Sequence, residues 1–97
     1  MNEKYKKILM AAEVFKSISH PERLRIVEVL SPSKKYSVTE IYELLNLPQA
    51  KVSHHLTILK NKGVLISEKK GKNIFYSLSN PGLSKVLETI EKYCSTK

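Results

Sequence analysis

Asn46-Leu47-Pro48 is the stretch that most constrains this chain. It lies between two short apolar-periodic segments. A residue before proline is pushed out of the helical region, so neither segment runs on into the other. The first opens at Ser37-Val38-Thr39-Glu40, a capping box in which the Ser hydroxyl and the Glu carboxylate each satisfy an orphan backbone N–H, and continues through Ile41, Leu44 and Leu45. The second runs from about Gln49 to Asn61, with Val52, Leu56 and Leu59 at i, i+4 and i+7. It stops at Lys62-Gly63, glycine being suited to the left-handed position past a helix. Two short helices joined by so tight a turn form a helix-turn-helix. Behind them, Val64-Leu65-Ile66 and Ile74-Phe75-Tyr76-Ser77-Leu78 are β-rich and joined by Glu68-Lys69-Lys70-Gly71-Lys72-Asn73, which reads as a hairpin with Gly71 in the turn. A hairpin directly after the second helix of the pair is a wing.

The flanks are helical. Residues 4–18 place Ile8, Ala11, Ala12, Phe15 and Ile18 on one face. Ser19-His20-Pro21 ends that helix, and Pro21 suits the first position of the next, where its missing N–H costs nothing. This second helix turns Leu24, Val27 and Leu30 inward and stops at Ser31-Pro32-Ser33. A last helix begins near Pro81 with Leu83, Val86, Leu87, Ile90, Tyr93 and Cys94 on one face. The expected order is α-α-α-α-β-β-α: mostly α with a small β-hairpin, an α+β winged helix-turn-helix. At 97 residues the chain reads as a single domain, 1–97, with a thin core.

Charge is concentrated on part of this framework. The chain holds 17 Lys and Arg against 9 acids, a formal +8. Residues 1–48 carry eight basic and six acidic residues, and residues 77–97 carry three and two. Residues 49–76 carry six lysines (Lys51, Lys60, Lys62, Lys69, Lys70 and Lys72) against Glu68 alone. Such a run is commonly just a solvated face. Here the lysines fall on the second helix of the pair and on the hairpin, where clustered ammonium groups would neutralise phosphates and release their counterions. The second helix of a helix-turn-helix lies in the DNA major groove, so charge and architecture mark the same place.

Other chemistries are poorly provided for. There is no aspartate, which removes Ser-His-Asp triads, EF-hand loops and Asp-based magnesium sites. Ser53 and His54 are adjacent, but successive helical residues diverge by ~100° around the axis, which keeps them from forming a catalytic pair. No glycine-rich phosphate loop is present, and an enzyme is not expected. The single cysteine, Cys94, excludes an internal disulfide framework and fits a reducing compartment. No apolar run approaches the ~20 residues of a membrane span. The apolar stretch after Lys6 and Lys7 is broken by Glu13 and Lys16, so no signal peptide is expected either and a cytoplasmic location is.

His20-Pro21-Glu22-Arg23-Leu24-Arg25-Ile26-Val27, Thr39-Glu40-Ile41 with Leu44, Leu47-Pro48-Gln49-Ala50-Lys51-Val52-Ser53-His54-His55-Leu56-Thr57-Ile58-Leu59 and Gly63-Val64-Leu65 together resemble the arsenic-repressor (ArsR/SmtB) family of bacterial winged-helix regulators. The similarity spans roughly residues 8–80 and is specific in combination, each piece being weak alone. The resemblance implies a homodimer, paired through the first and last helices (about 4–18 and 81–95), that binds an operator and represses transcription until an effector releases it. The pattern accommodates this: Leu83, Val86, Leu87, Ile90 and Tyr93 exceed what a 97-residue core absorbs, and Ile8 and Phe15 offer a second stripe. The alternative is that both stripes close the monomer's own core. The expected function is a sequence-specific transcriptional regulator that reads a palindromic operator with helix 49–61 and the basic wing 64–78. The competing function is a winged-helix module for protein–protein contact or for RNA or DNA binding without operator specificity.

With Val52, Leu56 and Leu59 turned inward, Gln49, Lys51, Ser53, His54 and Thr57 fall on or near the exposed arc. Gln49, at the helix N-terminus, carries an amide that pairs with adenine. Ser53 and His54 can donate to bases or phosphates, and Lys51 to phosphate. His55 either packs against the third helix or contacts DNA. Lys60 and Lys62 reach DNA or complement the helix dipole. Lys69, Lys70 and Lys72 straddle the backbone or enter a minor groove, Gly71 allowing close approach. Many relatives bind metals through a Cys pair on the third helix or Asp, His and Glu on the last. Here Val38–Leu44 has no Cys, and the last helix offers only Glu88, Glu91 and Cys94. No metal or other cofactor is therefore expected, and the effector is left open. Cys94 could cross-link to a dimer mate or serve simply as a small apolar residue.

Overall fold

The structure is a computed structural model that describes residues 2–95. Its elements are α1 (Glu3–Ile18), α2 (Pro21–Leu30), β1 (Tyr36–Ser37), α3 (Val38–Leu45), α4 (Gln49–Asn61), β2 (Leu65–Lys70), β3 (Asn73–Leu78) and α5 (Gly82–Ser95). All five expected helices are present, in the expected order, and the hairpin follows α4. The architecture is the winged helix-turn-helix.

Two features of the sheet differ from expectation. It has three strands, in the order β1-β3-β2, all antiparallel. β1 is missing from the expected order because two residues hold no alternation to read. Tyr36 and Ser37 are a strand only because they pair with Tyr76 and Phe75. The hairpin is also longer than expected. Lys70 pairs directly with Asn73, leaving Gly71-Lys72 as a two-residue loop with Gly71 at φ 62°. Glycine with positive φ at the first loop position is what a type II′ turn requires. The polar stretch Glu68–Lys70, expected as connector, is therefore ladder: cross-strand pairing overrides its poor strand propensity.

The helix ends follow local chemistry. Ser37 Oγ accepts from the Glu40 N–H at 3.1 Å and Glu40 Oε1 accepts from the Ser37 N–H at 2.9 Å, completing the capping box. Asn46 ends α3 in the left-handed conformation, φ 55° and ψ 48°. At the end of α4, Gly63 (φ 77°) donates to Lys60 O and Val64 N–H to Leu59 O, the paired bonds of a Schellman motif. His20 caps α2 through Nδ1, which accepts the Glu22 N–H at 3.1 Å. Two arginines then tie α2 to its neighbours by satisfying carbonyls at helix ends. Arg23 donates to Ser17 O (2.8 Å) near the end of α1, and Arg25 to Leu45 O (3.1 Å) at the end of α3.

One core lies between these elements: Ile26, Val27 and Leu30 of α2, Ile41 and Leu45 of α3, Val52, Leu56 and Leu59 of α4, Val64, Leu65 and Leu78 from the wing side, and Leu87 of α5. The inward positions expected for α4 are all buried. α1 is different. Of its residues only Ser17 is buried, with Val14 and Ile18 packed partly against the core. Its N-terminal turns leave Tyr5, Ile8, Leu9 and Met10 exposed.

The expected dimerisation residues divide accordingly. Ile8, Phe15, Val86, Ile90 and Tyr93 are exposed, Leu83 is half-buried, and Leu87 is only 9% exposed. Leu87 faces α2 and packs into the monomer's own core. An apolar groove runs between α1 and α5, lined by Phe15, Ile18, Leu83, Val86 and Ile90. Among the described residues no helix is long and apolar enough to cross a membrane.

Candidate nucleic-acid interface

Val52, His55, Leu56 and Leu59 set the buried face of α4. At about 100° per residue, the opposite arc carries Ala50, His54, Thr57 and Asn61, with Ser53 and Lys60 on one flank and Lys51 and Lys62 on the other. Gln49, Lys51, His54, Thr57 and Lys60 are exposed and Ser53 is half-buried. Ala50 and Asn61, exposed on the outermost line, were not singled out from the sequence. The Thr57 hydroxyl donates back to Ser53 O at 3.0 Å, which orients its oxygen along the helix.

The two flank lysines meet acids of the scaffold. Lys62 Nζ lies 3.7 Å from Glu13 of α1, and Lys51 Nζ lies 3.5 Å from Glu22 of α2. Both lysines remain about half exposed, so water screens their ends of the two pairs and weakens them. Either lysine is therefore released at little cost.

The wing lysines Lys69, Lys70 and Lys72 are all exposed, Lys72 in the loop itself. Glu68, the one acid of this region, is neutralised where it stands. Lys35 Nζ lies 2.9 Å from its carboxylate and Lys70 Nζ 3.6 Å. The hydrogen bond from Lys35, then the charges of Lys35 and Lys70, hold the Glu68 carboxyl below its ordinary value. Lys35 reaches the wing because it immediately precedes β1, which is hydrogen-bonded to β3. Sequence reading could not place it there without β1.

The first turn of α4 differs from its neighbours. Asn2, His20 and Ser37 cap α1, α2 and α3 with side-chain acceptors, whereas Pro48 precedes α4 and offers none. Its leading N–H groups, beside Gln49, are left for solvent or an anion.

His55 does neither of the things expected of it. It is buried, and it faces the start of α2 rather than α3 or DNA: Nε2 is 2.9 Å from Glu22 Oε1, and its ring centroid is 4.7 Å from that of His20. The hydrogen bond from His55 lowers the Glu22 carboxyl below its ordinary value; partial desolvation opposes this, and Lys51 adds to it. His20, Glu22 and His55 each offer a ligand atom within 4.8 Å of the others. The expectation of no metal-ligating group rested on α3 and α5, and this cluster lies between α2 and α4. On α5, Glu88 pairs with Lys92 at 3.1 Å, Glu91 faces Glu28, and Cys94 is exposed.

Comparison with known proteins agrees with this geometry. Residues 20–67 match the family model for bacterial regulatory proteins of the arsR family. The chain is 42% identical over 83 residues to the transcriptional repressor PagR of Bacillus anthracis, spanning 82% of this chain and 83% of that one. The crystal structure of PagR superposes with a TM-score of 0.80 at 37% identity, covering 89% and 98% of the two chains. Reduced HlyU from Vibrio cholerae gives a TM-score of 0.81 at 27% identity over 96% and 97%. With the motifs of α2 and α4, the wing and these similarities in place, the chain belongs to the arsR family of bacterial regulatory proteins.

Proposed function

We propose that this protein is a sequence-specific transcriptional repressor that binds a palindromic operator as a homodimer, acts by binding rather than catalysis, and works in the cytoplasm. The observation that carries the proposal is the coincidence of charge and shape. The outward arc of α4 is polar, and the exposed lysines of residues 49–76 all fall on α4, the residues just after it, and the wing. Gln49 reads a base edge at the mouth of the groove, with Ser53, His54 and Thr57 along the helix. In each subunit roughly four of Lys51, Lys60, Lys62, Lys69, Lys70 and Lys72 hold phosphates, with Lys35 beside them. PagR, the relative with 42% identity, is a transcriptional repressor, which favours this sign of regulation.

Dimerisation is supported by what the monomer leaves uncovered. α1 is held only near its C-terminal end, and isolated helices of about this length are marginal in water. A second copy laid along α1 and α5 would bury Ile8, Phe15, Val86 and Ile90 and pair two recognition helices for two half-sites.

The test is selection of bound sequences from a random DNA pool, followed by a salt titration of the selected site. The expected result is an inverted repeat. With roughly four lysines per subunit on phosphates, log-affinity falls against log-salt with a slope of about −7. A pool with no enriched sequence, or a complex insensitive to salt in fluorescence anisotropy, would overturn the proposal.

A further inference from the structure

We infer that His20, Glu22 and His55 form a binding site for a divalent transition metal of the zinc class, and that its occupancy releases Lys51 to the DNA face. Two imidazoles and a carboxylate are a common donor set for zinc, with water completing the shell. The three ligand atoms lie within 4.8 Å of one another. Ligands about 2.1 Å from zinc stand roughly 3.4 Å apart in a tetrahedron, so the set closes with about 1.4 Å of side-chain movement at most.

The three residues are held in place for independent reasons. His20 is fixed by its capping bond to the Glu22 N–H, Glu22 by the first turn of α2, and His55 by burial on α4. They open onto a cleft also lined by Pro21, Lys51 and His54, which gives an ion and its waters a way in.

A second observation concerns His55. It is 95% buried, and its Nδ1 is a buried atom without a hydrogen-bond partner among the described residues. Nδ1 lies on a different edge of the ring from the cluster, so what the burial fixes is the direction of Nε2, which stands 2.9 Å from Glu22 Oε1 and cannot turn to solvent. Among the described residues the ring's hydrogen-bond partner is Glu22, on the side where the cluster lies.

The coupling to DNA follows from Glu22 and rests on the function proposed above. One carboxylate oxygen faces His55 and the other faces Lys51 at 3.5 Å. A dication bound there takes over the carboxylate's charge and repels the ammonium. Lys51 then parts from Glu22 and turns to phosphate, so metal tightens the DNA complex.

The experiment uses the full chain carrying Cys94→Ser, which removes its one thiol as a competing ligand, after treatment with a chelator. Co²⁺ and Zn²⁺ are titrated by visible absorption and calorimetry. The expected result is one ion per chain, weakened at least about tenfold by His20→Asn and by Glu22→Gln. His20→Asn keeps a side-chain acceptor for the α2 cap, so its fold is retained and checked by circular dichroism. No saturable uptake at micromolar metal, or uptake unchanged in both variants, overturns the site. The second measurement is affinity for the selected operator. Zn²⁺ is expected to tighten it several-fold and steepen the salt slope by about 0.9 per lysine released. Glu22→Gln should bind DNA more tightly than the parent without metal and ignore it. Metal uptake with unchanged DNA affinity overturns the coupling, whereas uptake by a chain that selects no DNA sequence instead refutes the repressor reading.

Discussion

At the N-terminal end of α4 an amide and an ammonium stand two residues apart, with different chemistry. The Gln49 amide offers a donor and an acceptor together, which is what the edge of adenine presents, whereas Lys51 carries a point charge without directional preference. The same contrast separates Gln49 from Lys70 on the wing. Gln49→Ala is expected to relax preference at one base position, losing about 1–3 kcal/mol of discrimination. Lys70→Ala should weaken all sites alike and make the salt slope shallower by about 0.9 for each phosphate that the side chain no longer neutralises. Repeating the pool selection and the salt titration with each variant checks this, and identical outcomes for the two would refute the division of roles. At this scale the sequence identified which side chains face outward on α4 but not their partners. Lys51 meets Glu22 and Lys62 meets Glu13, residues 29 and 49 positions away.

Among the elements, α5 combines an apolar contact with the body of the protein and an unfavourable one. It reaches α2 through Leu83 and Leu87, yet at its outer edge Glu91 faces Glu28, carboxyl against carboxyl. The hydrogen bond with Glu28, then desolvation and the charges of Glu28 and Glu88, push the Glu91 carboxyl above its ordinary value. A carboxyl raised on folding holds its proton more tightly in the folded state. Its contribution is complete below the unfolded value of about 4.3 and is lost as pH rises through the folded one. Near neutrality the pair therefore repels. Glu91→Gln is expected to raise the melting temperature at neutral pH, the gain narrowing as pH falls through the raised folded value towards about 4.3. Thermal melts across pH check this, and a gain that grows in acid would refute it. The stripe on α5 was legible because its period is local. Glu28 against Glu91 was not, because the two lie on separate helices.

On the scale of the whole molecule, the apolar stripe of α1 and α5 and the densest lysine cluster lie on different elements. Ile8, Phe15, Val86 and Ile90 lie on α1 and α5, while the lysine cluster of residues 49–76 lies on α4, just after it and on the wing; α1 and α5 also carry lysines of their own, and the wing exposes Ile66 and Ile74. If the first surface is a dimer interface, a charge placed there should abolish pairing without touching the second. Ile90→Glu is expected to give a folded monomer by analytical ultracentrifugation, with operator affinity reduced by at least about a hundredfold through loss of the second half-site. A variant that stays dimeric would place the interface elsewhere.

The sequence by itself determined where helices start and stop, because those decisions are made within a few residues. Ser37 and Glu40 satisfy each other's backbone, Gly63 takes its left-handed position without strain, and the residue before Pro48 is kept out of the helical region. It also determined which face of each helix is apolar. Only the tertiary structure decided which apolar residues enter the core, taking Leu87 and leaving Ile90. It alone made Tyr36-Ser37 a strand, carried Lys35 to the wing, and brought His55 to His20 and Glu22. Each of those outcomes is a meeting of distant segments, and no local pattern reports where a neighbouring element will lie.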